Sequence, residues 1–590
     1  MRILSSYCFI SGIIVLFLLL GMLGPVYSAK NDCKSFTFFS QTQFPLKVYY
    51  IQGQEPGPTV MVQGGIQGDE PSGYLTAQIL ASSKLKKGNL IVVPRANYPA
   101  IIEGERTINV DLNRRFDQEY TQFYEDYLAR VIKFLVKNSD ALIHLHEGSG
   151  FYCPRYVNRL QNPNRYGQSV IIDTAVFEDR INLAKTVNNV LPCLNEKIFT
   201  NKYRFQLFNT ETFSSKTQYP EQKRSLTYYT LQRCRIPALA IEVSKDIKNL
   251  AWKVEQQLRA TTFFLYRFGL RLDLPDFSKM VLKEYFQRIK KDQTYNNLLE
   301  YRSHNGSDIS CLDTKGCFSS KVRFQEDLKG FNPSVGAYTD DWPQLNILRL
   351  PCSQLPHFSE KISLKSDGQI VSHMELGNRS QAEIHNFFSQ PIFVCLLNNK
   401  MHFISAGEEL VAREGDRLVM LGMWQRGSQE VINLKGYVSQ AGYNDGQDMG
   451  REIILSKDFF ISKYLMDADN PSHWRCRAIR ETSGETNSEF TVLVLPQKIQ
   501  GLELSSKQGH RFQFPIGTEN VFHIPPGEYK LTDIYGPSHG EMYLPIINGM
   551  PMKNGESFFL GQDAREQLSI YLTNSFKLIT RLYLVGNKVN

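Results

Sequence analysis

Nowhere in this 590-residue chain does a run of basic residues alternate with aromatics, and the formal charge of +8 is thin over such a length. Without that electrostatic footprint, nucleic acid is not an expected partner. Cysteine is sparse, and its positions lack the spacing of a cysteine zinc cluster. The chain also lacks an internal repeat and any long low-complexity segment, which excludes solenoids and extended linkers. Long apolar runs are missing too, except at the start.

That exception spans residues 8–23, follows Arg2, and leads into Gly24-Pro25-Val26-Tyr27-Ser28-Ala29. The order is that of a secretory signal peptide cleaved after Ser28. The run is short for a membrane span, so the alternative is an uncleaved single-helix anchor. Either way the rest of the chain is exported, and membrane contact is expected only through the leader if it is retained. Apart from Cys8, nine cysteines remain of the ten, an odd number that leaves at least one thiol free. Cys311 and Cys317 bracket a glycine-containing polar loop and are the expected disulfide pair.

A chain this long exceeds a single core, and usual domain sizes suggest about three or four domains. From 35 to 272 short apolar strands alternate with longer helical segments, the pattern of an α/β sheet flanked by helices. Strands are expected at 44–51, 59–62, 90–93, 141–145 and 238–243, and helices at 71–80, 120–137 and 180–190. Residues 276–364 read as a connecting region with a basic helical start at 279–292. Beyond it, short β-rich runs with regular turns predict one or two antiparallel β modules. The expected divisions are 1–28 leader, 29–275 catalytic domain, 276–364 connection, 365–500 β-rich domain and 501–590 C-terminal β-sandwich-like domain.

Chemistry concentrates in the first half. Gly64-Gly65-Ile66-Gln67-Gly68-Asp69-Glu70-Pro71 places an amide and a carboxylate three residues apart, between a buried strand and a helix with proline in its first turn. Such a loop lies at a strand's carboxyl end, where open α/β sheets bind their ligands. A third metal ligand is offered by Ala141-Leu142-Ile143-His144-Leu145-His146-Glu147-Gly148. Its two histidines share a face, so periodicity does not separate them, but His146 is nearer the carboxyl end and a glycine loop. A lone histidine in an apolar strand is usually structural; the Gln67 and Glu70 loop tips the balance to a metal. Zinc suits two neutral ligands and a carboxylate with an open fourth position. An amide oxygen is a harder and poorer donor than imidazole and should weaken binding somewhat.

Between these halves runs Glu105-Arg106-Thr107-Ile108-Asn109-Val110-Asp111-Leu112-Asn113-Arg114. Its two guanidinium groups, one beside an amide, can grip a carboxylate and polarise a carbonyl. So charged a run is most often a solvated loop. Further on, Ile236-Pro237-Ala238-Leu239-Ala240-Ile241-Glu242-Val243 carries one acid in an apolar strand, which must be paired, protonated or catalytic.

Taken in order, Gln67-x-x-Glu70, Arg106, Asp111-Leu112-Asn113-Arg114, His146 and Glu242 resemble the zinc carboxypeptidases of the carboxypeptidase A superfamily. That family commonly begins with His-x-x-Glu. Glutamine at 67 departs from it but is similar to a subgroup of exported DL-carboxypeptidases that trim peptidoglycan and help set helical cell shape. The resemblance implies zinc held by Gln67, Glu70 and His146, with Glu242 as general base and Arg106 stabilising the oxyanion. It implies that Asn113 and Arg114 hold the substrate's terminal carboxylate, with Tyr219, Tyr228 or Tyr229 near the leaving group. The implied partner is a peptidoglycan peptide in the periplasm, cut between D-glutamate and meso-diaminopimelate; oligomeric state is left open. Two alternatives stand beside it: a deacylase like succinylglutamate desuccinylase and aspartoacylase, and a wall-binding scaffold that lost catalysis when histidine became glutamine.

Overall fold

A computed structural model describes residues 32–120, 123–274, 299–303, 316–320, 334–339, 343, 345–349, 361–375, 392–423, 431–438, 448–481, 488–516, 520–536, 542–553 and 555–587. The leader, the basic segment 279–292 and Cys311 lie outside the described residues, and so does the expected disulfide.

One nine-stranded sheet organises the first half. Its strands are β1 (Asp32–Phe38), β2 (Leu46–Gln52), β3 (Glu55–Gln63), β4 (Lys84–Val93), β5 (Ala141–Gly148), β6 (Ser169–Ile172), β7 (Gln206–Asn209), β8 (Ala238–Ser244) and β9 (Arg271–Asp273). They lie in the order β1-β2-β4-β3-β5-β8-β6-β7, with β9 on β4. The sheet is mixed. β4, β3, β5 and β8 run parallel, while β2 joins β4 and β6 joins β8 antiparallel. The parallel strands are buried apolar runs, as their position requires. Helices α1 (Pro71–Leu80), α2 (Tyr98–Glu103), α3 (Tyr124–Lys137), α4 (Leu183–Asn195), α5 (Leu226–Tyr229) and α6 (Leu250–Arg267) connect and cover them.

Two helix starts differ from expectation for local reasons. α3 begins at Tyr124 rather than 120, where the Asp126 carboxylate accepts from the Phe123 amide at 2.9 Å and caps the first turn. α4 begins at Leu183 rather than 180, since the Asn182 side chain accepts from the Lys185 amide at 2.8 Å.

The region expected as a connection contains a strand pair, Leu299–Ser303 with Gly316–Ser320, and Val335–Thr339, which pairs with the hairpin Lys361–Ser366 and Gln369–Glu375. The expected division at 364 and 365 falls inside a strand of that sheet. Further on, the described residues form three four-stranded sheets and a five-stranded one, mostly antiparallel. Two pairings are parallel instead: Glu409–Arg413 with Glu489–Leu495, and Val521–Ile524 with Leu578–Gly586. The nine-stranded sheet and the sheets of 392–494 share one continuous apolar core, which Leu544, Ile546 and Phe576 also join, whereas other residues between Ile499 and Leu584 build a second.

Candidate active site

β3 ends at Gln63, and the loop to α1 brings Gln67 and Glu70 into the interior, both almost fully buried. Proline at the head of α1 suits a first turn whose amides have no intrahelical partner. The loop is held close to its neighbour: a Cβ on Gly68 would come within 2.1 Å of the Ala100 carbonyl carbon. Only glycine fits there.

On β5 the alternation puts His144 and His146 on one face, with ring centroids 4.0 Å apart. His146 Nδ1 lies 2.9 Å from Glu70 Oε2, and its Nε2 lies 3.1 Å from His144 Nδ1. Burial disfavours a charge on His146, but the Glu70 carboxylate outweighs it and holds the pKa above the usual imidazole range. Burial, with the neighbouring His146 adding to it, pulls His144 well below that range, so it is a neutral ring, with its Nε2 unpartnered.

A carboxylate orients the amide. Gln67 Nε2 donates to both oxygens of Asp111, at 3.2 and 3.3 Å. A carboxylate only accepts, so the amide turns its NH2 to Asp111 and its oxygen the other way. Asp111 also takes a 2.9 Å bond from Arg106, whose other terminal nitrogen is 3.7 Å from Glu70 Oε1. Burial opposes ionisation of Asp111, and Arg106 and Arg114 reverse this to keep its pKa low. A chain of contacts thus joins Gln67, Asp111, Arg106, Glu70 and His146.

Glu242 stands on β8 in register with His146 of β5, and Gly148 leaves its side chain room, since a Cβ there would come within 2.4 Å of Glu242 Oε2. Desolvation pushes its pKa up to about 7, and its Oε2 has no hydrogen-bond partner. Asn113 and Arg114 follow on the same loop as Asp111. The Asn113 side-chain oxygen accepts from Leu226 N at 3.0 Å, which leaves its NH2 as donor, and Arg114 donates to the Asn113 carbonyl at 2.9 Å. Of the three tyrosines, Tyr229 is buried under the Lys133 ammonium, Tyr228 packs on Phe213, and Tyr219 sets its edge against Phe208.

Do these residues fit a metal? Among the described residues no group of three or more His, Cys, Asp and Glu side chains is arranged to hold one; the expected set contributes only Glu70 and His146 to such a count, its third ligand being an amide. The donor set itself fits. His146 Nδ1 and Glu70 Oε2 converge at 2.9 Å, a nitrogen and a carboxylate oxygen bridged by a proton that a cation could replace, and the Gln67 amide oxygen is the donor left over once its NH2 is given to Asp111.

Sequence reasoning missed the supports. Spacing alone assigns Asp111 no role within the run 105–114. Glu147 accepts from the Ser72 amide at 2.7 Å and from Lys253 at 2.5 Å, tying β5 to both α1 and α6. Lys245 reaches Asp69 at 2.5 Å and Glu70 Oε1 at 3.6 Å. Gln257 donates to the His146 and Ile241 carbonyls, at 2.9 and 3.0 Å. A buried acid next to a proposed ligand, as Glu147 is, was the one readable signal.

Residues 34–278 match the family described as the catalytic part of the carboxypeptidase controlling helical cell shape. A curated relative, an N-alpha-acetyl-L-2,4-diaminobutyric acid deacetylase of Halomonas elongata, is 41% identical over 103 residues, 16% of this chain. The match spans 29% of that relative's length. Among solved structures, the tripeptide-bound cell shape determinant Csd4 of Helicobacter pylori is 19% identical with a TM-score of 0.41, covering 79% of this chain and all of that one. Its mDAP-bound form, described as a D,L-carboxypeptidase, is 20% identical with a TM-score of 0.40, over 75% and 96%. A succinylglutamate desuccinylase/aspartoacylase of Rhodobacter sphaeroides is 17% identical with a TM-score of 0.30, over 43% and 70%.

Proposed function

We propose that this chain, whose residues 34–278 fall in the cell-shape carboxypeptidase family, is an exported zinc carboxypeptidase that removes meso-diaminopimelate from peptidoglycan muramyl tripeptides in the periplasm. The observation that carries this reading is the linked set Gln67, Asp111, Arg106, Glu70 and His146, with the unpartnered Glu242 carboxylate in register beside it.

Gln67, Glu70 and His146 would hold the zinc, which, when bound, supplies Lewis acidity and lowers the pKa of a water. Glu242, poised near neutrality by burial, takes a proton from the attacking water and delivers it to the departing amine. Arg106 is half exposed, and its free N–H donors face charge that develops on the scissile carbonyl oxygen. Arg114 and the Asn113 NH2 bind the terminal carboxylate, which makes the enzyme an exopeptidase. The His144 ring and Asp111 fix the orientation of His146 and Gln67.

The test is digestion of muropeptides with purified full chain, with products read by mass. Chelator-sensitive release of free diaminopimelate is expected; intact tripeptide after digestion would defeat the reading. The Halomonas match supports a second reading, deacylation of small N-acylated amino acids. Turnover of N-acetyl amino acids without turnover of muropeptides would put that reading first.

A further inference from the structure

Among the described residues, the second half of the chain approaches the site at the turn Asp367–Gly368 and the strands around it. Segment 94–105 lies against the Gln67 loop: the Ala96 and Asn97 amides donate to the Gly64 and Gly65 carbonyls at 3.2 and 2.8 Å. Together with the closure of Gly68 on Ala100, this leaves no space for either backbone to shift alone. The same segment leads directly into Arg106 through Gly104, the left-handed cap of α2.

Its opposite side is covered by the hairpin Lys361–Ser366 and Gln369–Glu375. Both turn residues, Asp367 and Gly368, have positive φ, 44° and 80°, as a tight two-residue hairpin turn demands. The Gly368 amide donates to the Ile102 carbonyl at 3.0 Å. A Cβ on Gly104 would come within 2.7 Å of the Gly368 Cα, and one on Gly368 within 2.8 Å of the Gly104 Cα. Two backbones touch here without any side chain between them.

Charges lock the contact. Asp367 receives Arg95 at 2.6 and 3.3 Å, and Arg95 also donates to Ser334 Oγ at 2.9 Å. The same guanidinium stacks over the Tyr74 ring at 4.5 Å, on the helix that follows Glu70. Lys365 pairs with Glu103 at 2.5 Å, and the Tyr98 hydroxyl meets Val335 at 3.2 Å. The Arg95 and Asp367 side chains are only 9% and 15% exposed, so removing either partner strands a buried charge.

We propose that the Asp367–Gly368 turn is a positioning element of the active site. Pressing on segment 95–105, it holds the Gln67 loop and Arg106 at their working distances, so the β-rich half completes the site instead of merely being joined to it. This inference rests on the roles proposed above for Gln67 and Arg106.

The experiment uses full-length chain carrying Gly368→Ala, Asp367→Asn, or Ile370→Ala as control, since Ile370 is 59% exposed beside the turn. Zinc affinity is read by competition with a coloured chelator, local opening by amide hydrogen exchange over residues 99–109, folding by thermal melting, and turnover as separate kcat and KM. The first two variants are expected to bind zinc about 10–100-fold more weakly, as loss of ligand support typically does. Faster exchange over 99–109 and lower kcat should accompany this, while Ile370→Ala matches wild type. If Gly368→Ala does not fold, Asp367→Asn and Lys365→Ala carry the test with the same direction of change. Wild-type zinc affinity and exchange in folded turn variants, or equal losses in Ile370→Ala, would overturn the proposal. A wild-type protein that binds zinc but hydrolyses no muropeptide would refute the functional reading alone; affinity and exchange would still decide this one.

Discussion

The contact between Gln67 and Asp111 changes what the glutamine means. An unrestrained amide could present either its NH2 or its oxygen; two bonds from Nε2 to one carboxylate remove the choice. Asp111→Ala should therefore weaken zinc binding by about 10–100-fold in a chelator competition assay, with the fold intact by circular dichroism. Unchanged affinity would mean the oxygen is held by something other than Asp111. Glu242→Gln should keep the metal and lower kcat by about 10²–10⁴-fold, the usual contribution of a positioned proton-transfer group. Steady-state kinetics on a muramyl tripeptide, beside metal analysis, would show wild-type turnover if Glu242 is only structural. Spacing could reveal these side chains because each lies within a short loop or strand of fixed period. It could not reveal Glu147 with Lys253 or Gln257 with His146, because those partners lie about a hundred residues apart and meet only through packing.

At the level of single elements, α3 carries an unusual acid. Glu125 is fully buried in its first turn, and desolvation raises its pKa to about 7 even though Asn109 donates to it from backbone and side chain at 2.9 and 2.8 Å. Its unfolded pKa is about 4.3, so between these values the folded chain holds a proton that the unfolded chain has released. Stability should therefore fall as pH rises from about 4.5 to 7. Glu125→Gln should flatten that slope, checked by urea unfolding across the interval; parallel curves for both proteins would refute it. Expectation and structure agree where an element's ends are set by its own residues, as in β8. They part where a distant strand recruits more chain: β3 and β4 run longer than their apolar centres because β9 and the pairing at Glu55 extend the ladder. The docking of Asp367 was invisible for the same reason, since Asp-Gly signals a hairpin turn and says nothing of what the turn touches.

At the scale of the whole molecule, the described residues form two apolar cores that divide the labour. The catalytic sheet and the 392–494 sheets share the larger one, and Phe576 reaches it from the C-terminal unit by edge contacts with Phe38 and Phe134 at 5.6 and 5.4 Å. The other core, around Leu502, Leu568 and Leu582, contains no catalytic-unit residue. Leu582→Ala, at a fully buried position, should cost about 2–5 kcal/mol locally. Calorimetry should then show the C-terminal unit melting earlier while zinc affinity is unchanged; a matching loss of zinc would mean the cores are energetically one.

The Arg95 to Asp367 pair also bears on the order of assembly. Its partners are 272 residues apart in sequence, and contacts of such separation form late because a long loop must close first. Chains are made from the N-terminus onward. The sheet with Gln67, His146 and Glu242 can therefore be complete while Gly104 still awaits Gly368. Peptide-cutting geometry would then mature only after the β-rich half has emerged and folded, a built-in delay between making the catalytic segment and arming it.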